Sequence, residues 1–364
     1  MQTPSDLDAL RRRVQLAVDA QIADSVSLLD QIGPETAPLV EAVSSLLAGG
    51  KGLRAGFLYW GYRAAGGPDS EALVRLAASM EMFQAAALLH DDVMDRSDTR
   101  RGMPSAHRAL ATLHDQQGWL GDGDRFGEGA AILAGDLCLT WCDQMFATCG
   151  LAAADLGRGR PLFDAMRTQL MGGQFLDLFE SVRGWDGLSV EERVSSARTV
   201  IRFKSAKYTI EHPLLIGASV GGLEDDLTGP LSDYGLALGE AFQLRDDLLG
   251  VFGDPEATGK PAGDDLREGK RTVLLAYALD AASDADRGLV ERLLGRDDLD
   301  DDGVGRIRRV LTETGAVDRV ETHITDLAGQ AREALDRAAR TERFDPAALG
   351  VLSDLVSVST ARRA

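Results

Sequence analysis

The sequence predicts an all-α protein, and three observations carry that prediction. Alanine and leucine dominate the 44% hydrophobic content, while aromatic residues make up only 5%; that mixture suits close helix packing better than sheets. Strand-like alternation of valine, isoleucine and threonine is hard to find anywhere along the 364 residues. Several long stretches instead repeat apolar residues at helical spacing.

Taken in order, residues 5–31 have helical periodicity with a basic patch at Arg11, Arg12 and Arg13. Gly49, Gly50 and Gly52 then punctuate the chain around Lys51 and Arg54. A break at Gly66–Gly67–Pro68 precedes Ser70–Glu71, a helix start. From there to about Asp95 the chain is apolar on nearly every side, as expected of a helix running through the interior. A polar, loop-like stretch is expected from about Asp115 to Gly129. Further helices are expected at 130–148, 160–182, 190–221 and 230–250. Glycines and prolines break the stretch 251–270, and 271–364 reads as helical with polar connections, including the acidic turn Asp297–Asp302. With no internal repeat, no long linker and no change of class, residues 1–364 are expected to form a single antiparallel helix-bundle domain.

The formal charge of −19 argues against a nucleic-acid binder, which would carry a basic stripe. It also means that any small polyanion must be bound through cations. Cys138, Cys142 and Cys149 have no histidine near them in sequence and are expected to be buried free thiols. The first residues hold no apolar signal core and no run of 18 apolar residues occurs. A soluble, cytoplasmic protein without a membrane span is expected.

Chemistry concentrates in two acidic motifs. Asp91 and Asp95 fall on one helix face with Asp92 beside them. Carboxylates at a helix C-terminus are unfavourable without a counter-cation, and hard oxygen ligands of this kind suit Mg²⁺. Asp246 and Asp247 repeat the theme after another apolar helix, which suggests acidic clusters arranged around a shared metal–phosphate group. Basic residues gather near both motifs: Lys51 and Arg54, Arg100 and Arg101, Lys204 and Lys207, and Lys260. Arginine forks and lysine point charges are the usual ligands of a diphosphate. His90 and His107 flank the first motif, where a local hydrogen-bonding role is expected.

Together these segments resemble the trans-isoprenyl diphosphate synthases, the polyprenyl synthetases related to farnesyl and geranylgeranyl diphosphate synthases. The resemblance runs from about Gly49 to Lys270. It includes Gly49-Gly50-Lys51-x-x-Arg54, Asp91-Asp92-x-x-Asp95, Arg100-Arg101-Gly102-x-Pro104 and Gly135-Asp136. Gly173-Gln174-x-x-Asp177, Lys204-Ser205, Phe242-Gln243-x-x-Asp246-Asp247 and Gly259-Lys260 follow in the family's order.

What the resemblance implies is specific. The bundle would surround a deep central cavity of the isoprenoid synthase type, in a homodimer. Asp91 and Asp95 would ligate two Mg²⁺ ions with Asp92 in support, and Asp246 a third, helped by Asp247 and, through water, by Asp264. Arg100, Lys204, Gln243 and Lys260 would grip an allylic diphosphate. Lys51, Arg54, Gln84 and Arg101 would bind isopentenyl diphosphate; Ser205, Tyr208, Gln174 and Asp177 would complete the surroundings. The reaction would be head-to-tail condensation to a linear trans-prenyl diphosphate. Gly250 stands where the family's second motif often has a third acidic residue.

Growing chains in the family point down the helix before the first motif, where Ala86 and Ala87 leave room and Phe83 would form a floor. The expected product is therefore C20 geranylgeranyl diphosphate, with farnesyl or C25 and longer products as alternatives. A class I terpene cyclase would need an Asn/Ser/Glu metal motif in place of Asp246–Asp247, and a non-catalytic partner subunit would lack acidic motifs.

Overall fold

The computed structural model describes residues 4–185, 187–254, 263–296 and 298–360, with side chains from residue 7 onward. Helices account for most of it, and the strands are two residues each: the all-α expectation is met. Chain packing separates two compact units. The described residues up to Arg160, with Ile216–Leu223, form one; Pro161–Leu215 and the described residues from Glu224 onward form the other.

In the first unit α1 (Pro4–Leu29), α2 (Ala37–Leu47), α3 (Leu53–Ala64) and α4 (Glu71–Met94) follow one another. Ser70 caps α4 by accepting a hydrogen bond from the Leu73 N–H at 3.1 Å, as the sequence suggests. α4 packs against α1, α3 and α6 and buries Leu73, Leu76, Met80, Met82, Phe83 and Leu89 almost completely. Its length and apolarity would suit a membrane span, but 67% of its most apolar window is buried inside the protein, the environment of a core helix. After α4 the chain makes a two-residue hairpin, β1 (Thr99–Arg100) paired antiparallel with β2 (Met103–Pro104), which the sequence reading missed. Arg101 and Gly102 turn it with φ of 55° and 75°.

The loop expected over Asp115–Gly129 is mostly helix. α5 (Ala106–Gln117) is joined by a short turn to α6 (Gly123–Thr148). The Asp122 carboxylate accepts from the backbone N–H of Asp124 and Arg125 at 3.0 and 3.2 Å. What reads as loop composition is therefore an N-cap and a glycine-containing first turn.

α7 (Ala153–Arg183) starts seven residues earlier than expected. The stretch expected as one helix over 190–221 is α8 (Val190–Val200), a π-helical segment (Ile201–Glu211) and α9 (His212–Val220). α10 (Gly229–Phe252) precedes the short α11 (Asp264–Arg267), then α12 (Val273–Ala281), α13 (Asp284–Leu293) and α14 (Asp301–Glu313). α15 (Ala316–Ala339) and α16 (Pro346–Thr360) complete the chain. Asp300, read as part of an acidic turn, caps α14 through the Gly303 N–H at 2.8 Å.

In the second unit α10 packs against α15 and against the π segment. Sequence explains the second contact. A Cβ on Gly239 would lie 2.6 Å from Ala206 Cα, and one on Gly235 2.6 Å from Glu211 Cα. The two glycines, one turn apart, let backbone meet backbone. Gln243 and Asp247 continue the same i, i+4 row, so the close approach aims both of them along the π segment.

Candidate active site

The first unit carries Asp91, Asp92 and Asp95. Asp91 and Asp92 sit in the last turn of α4, and Asp95 is its C-cap residue, its N–H bonded to Asp91 O at 2.8 Å. Asp92 is 1% exposed, and Arg100 on β1 neutralises it: Nε donates to the two carboxylate oxygens at 2.9 and 3.2 Å. The Arg100 Nη2 lies 3.6 Å from Asp91. Arg100 thus bridges the pair of aspartates, while Asp91 stays partly accessible.

Upstream on α4, Gln84, Ala87, Leu88 and Asp91 are less buried than their neighbours, whereas Phe83 and Ala86 are sealed in the core at 1% and 0% exposure. Gln84 and Leu88 line a small, open cavity that also takes in Gly50, Gly52, Glu81 and Arg101. Gly52 has φ of 64° and caps the start of α3; Lys51 beside it is exposed and Arg54 partly buried. Glu81 Oε1 accepts from the Ala55 N–H at 3.1 Å, which ties the glycine loop to α4. Arg101 Nη1 donates to Leu46 O at 2.6 Å. Desolvation pushes the Arg101 guanidinium below its ordinary range, and Arg100, Arg54 and Arg11 push it the same way against the opposing pull of Glu81. Such crowding of cations is what an anionic ligand relieves.

The two flanking histidines make local bonds. His90 Nε2 is 3.1 Å from Ile132 O and 3.5 Å from Asp136, and His107 Nδ1 is 3.1 Å from Ser105 Oγ. The three cysteines are free and buried; burial pushes the Cys138 thiol well above its usual range.

The second unit gathers a different set. Gly173 brings α7 against the π segment, for a Cβ there would stand 2.5 Å from the Lys204 backbone nitrogen. Lys204 Nζ then reaches Asp177 at 2.5 Å. π turns often mark functional positions, and this one carries Lys204, Ser205 and Tyr208. Ser205 Oγ donates to Gln243 Oε1 at 2.6 Å, and Gln243 Nε2 donates to Asp247 Oδ1 at 2.8 Å. Because one end of the Gln243 amide accepts and the other donates, the chain of bonds has a fixed direction.

Asp246 is exposed while Asp247 is buried. Burial first, then the charge of Asp265 and that of Asp246, hold the Asp247 proton up to about 8, against the lowering effects of Gln243 and Lys270. Asp265, the neighbour of the Asp264 expected to help, reaches this motif. It lies 3.3 Å from Lys270 Nζ, which also pairs with Glu268 at 2.6 Å. Asp265 also explains Gly250: a Cβ at 250 would meet the Asp265 carboxylate oxygen at 2.0 Å. The space of the missing third acidic side chain is filled by a carboxylate from α11. Sequence reasoning missed Asp265 and Lys270, although acidic Asp264–Asp265 after Gly263 and a lysine five residues on were visible signals. Gly259 and Lys260 lie outside the described residues.

Among the described residues no three His, Cys, Asp or Glu side chains form a ready-made metal cage. The acidic side chains come instead as Asp91, Asp92 and Asp95 at the end of α4 and as Asp246 and Asp247 in the last two turns of α10. That donor set fits Mg²⁺, which takes one or two carboxylates and fills its shell with water and substrate phosphate.

Comparison with known proteins agrees with this inventory of groups. Residues 36–311 match the model of the polyprenyl synthetase family. The geranylfarnesyl diphosphate synthase of Aeropyrum pernix is 31% identical over 94% of this chain and 98% of its own length. The geranylgeranyl diphosphate synthase of Methanosarcina mazei is 29% identical over 85% and 87%. A solved geranylgeranyl pyrophosphate synthase of Corynebacterium glutamicum, complexed with isoprenyl diphosphate and magnesium, superposes with a TM-score of 0.91 at 38% identity, over 98% of this chain and 99% of that one. Two acidic helix ends, a glycine loop with its basic residues, and relatives aligned over nearly the whole length lead to one conclusion: the chain belongs to the polyprenyl synthetase family and is a prenyltransferase that makes trans-prenyl diphosphates.

Proposed function

We propose that the chain is a single prenyltransferase domain that condenses isopentenyl diphosphate with an allylic diphosphate, in a Mg²⁺-dependent reaction, to give mainly C20 geranylgeranyl diphosphate. The observation that carries the reading is α4 itself. It ends in Asp91 and Asp95, and the fourth and fifth residues before Asp91 are the alanines Ala87 and Ala86, with buried Phe83 next in line. Eight residues of helix place Phe83 about 12 Å from Asp91 along the axis, so a growing chain meets no bulky side chain on α4 until that floor.

Asp91 and Asp95 would hold two ions and Asp246 a third, with Asp92 and Asp247 supporting them from buried positions. Bound Mg²⁺ supplies charge neutralisation for the departing pyrophosphate. The chain's own groups do the rest. Lys204 and Gln243, with Lys260 and Arg100, bind the allylic diphosphate, while Asp177 and Ser205 orient the first two. Lys51, Arg54, Gln84 and Arg101 hold isopentenyl diphosphate so that its double bond faces the allylic carbon. Tyr208 and Gln174 complete the polar surroundings. Apolar α4 keeps water from the allylic cation. The proton lost from the condensed product passes to the released pyrophosphate, so no side-chain nucleophile is required.

A homodimer in the cytoplasm completes the proposal. Met171, Phe175, Phe179 and Val182 form one stripe of α7, exposed to 46%, 69%, 43% and 80%; such a stripe suits a second copy of the chain.

Incubation with radiolabelled isopentenyl diphosphate and each allylic starter, followed by sizing of the product, tests the reading. A C20 product that requires Mg²⁺ is expected. A C15 or C25 product would overturn the chain-length assignment, and failure to consume isopentenyl diphosphate would overturn the activity.

A further inference from the structure

The cavity beside the glycine loop is walled on one side by α1, a helix that none of the family-like motifs includes. Arg11 and Gln15 of α1 line it together with Gly50, Glu81, Gln84 and Arg101. Arg11 and Arg13, two residues apart, have different surroundings. Arg13 is held by carboxylates, 3.1 Å from Asp69 and 2.7 Å from Glu71, and anchors α1 to the start of α4. Arg11 pairs with no carboxylate among the described residues. Its Nη2 donates to Gly49 O at 3.2 Å, which uses one of the five donors of a guanidinium. Its Cγ would be 3.7 Å from a Cβ at Gly52, so the side chain lies across the loop that carries Lys51.

Arg11 therefore adds a further positive charge beside Arg101, on which Arg100 and Arg54 also act, with Glu81 as the opposing charge. Guanidiniums held this close to Arg101 oppose its charge, and that opposition has a cost. A diphosphate in the cavity removes that cost, and a planar fork is suited to grasp it.

We propose that Arg11 is a substrate-binding residue for isopentenyl diphosphate. It reaches over the glycine loop from α1 and donates charge-assisted hydrogen bonds to the same diphosphate that Lys51, Arg54, Gln84 and Arg101 hold. The proposal rests on the reading of that cavity given above and extends it to a helix outside the motifs. The allylic diphosphate has no part in it.

The test is steady-state kinetics of the full-length protein and of Arg11→Gln and Arg11→Lys, each substrate varied at saturating levels of the other. For Arg11→Gln the KM for isopentenyl diphosphate rises on the order of ten-fold, the loss of a charge-assisted bond at a partly open site. Its kcat and its KM for the allylic substrate stay within about two-fold of the parent. Arg11→Lys, which keeps the charge without the fork, recovers part of the loss. An unchanged KM for isopentenyl diphosphate would overturn the proposal. So would equal losses for both substrates, since a merely structural hold on Gly49 predicts those. In either case a wild-type protein that condenses the two substrates leaves the reading of the cavity standing; wild-type protein that does not consume isopentenyl diphosphate removes that reading as well.

Discussion

Replacing Gly250 by alanine is a sharp test of the second acidic motif, because helix propensity and geometry pull in opposite directions. In the interior of α10 alanine gains about 1 kcal/mol over glycine. Its Cβ, however, would stand 2.0 Å from the Asp265 carboxylate oxygen and 2.5 Å from Cγ, where ordinary contact is about 3.5 Å. The carboxylate must retreat by roughly 1.5 Å, given that contact distance. It now lies 3.3 Å from Lys270 Nζ, both side chains being less than a quarter exposed or nearly so at 14% and 24%. Losing that charge-assisted contact costs about 1.5–3 kcal/mol, so the net loss is about 0.5–2 kcal/mol once the helix gain is subtracted. Thermal denaturation should then begin a few degrees lower, since roughly 2–4 °C accompany each kcal/mol in chains somewhat smaller than this one. Displacing a supporting carboxylate typically weakens metal binding about 10- to 100-fold, so the Mg²⁺ concentration for half-maximal turnover should rise accordingly. A Gly250→Ala protein that melts at or above the parent temperature, with an unchanged Mg²⁺ requirement, would refute the idea that Asp265 occupies the vacated place.

Four further outcomes are expected. Asp246→Ala should lower turnover by orders of magnitude; a near-wild-type rate would contradict its assignment as a metal ligand. Phe83→Ala should lengthen the products seen by chromatography, and an unchanged distribution would leave Phe83 as core alone. Phe175→Asp, on the exposed stripe of α7, should shift the protein toward monomer in analytical ultracentrifugation; a variant that sediments like the parent would locate the dimer contact elsewhere. Asp247 gives a pH dependence of definite sign: its proton is held to about 8 in the folded, metal-free protein against an ordinary value of 3.8, so the folded state binds the extra proton between those limits. The metal-free protein should lose stability as pH rises from about 4 to about 8. Asp247→Asn should flatten that slope in melting curves, and a slope of unchanged steepness would rule Asp247 out as its source.

Much of this was visible in the chain, and the reasons are particular. α4 announced itself through Ser70, a long all-round apolar run and an acidic end, because capping and burial are both written in local residue types. The stretch after Asp115 misled, since the same aspartates and glycines that make loops also make N-caps; only the placement of Asp122 over the first turn of α6 separates the two. The π segment is not legible because its apolar residues keep a spacing close to that of an ordinary helix, and its packing against Gly235 and Gly239 of α10 is not encoded in that spacing. The acidic pair Asp246–Asp247 could be singled out, but not the difference between them: one is exposed, and the other is buried with a carboxylate neighbour from α11. Asp265 was missed for the same reason, as the packing that places it is not encoded in spacing along one helix. Arg100 was expected to grip substrate, and the structure adds that it is already committed to Asp92.

The two glycines of α10 have a consequence for anyone who would alter this enzyme. The polar relay from Ser205 through Gln243 to Asp247 owes its alignment to side chains that are absent, so a methyl group at 235 or 239 would act as a wedge between α10 and the π segment. Damage there would register as a catalytic defect although no reactive group had been touched. Libraries that spare only the chemically active positions would lose function at these two silent ones.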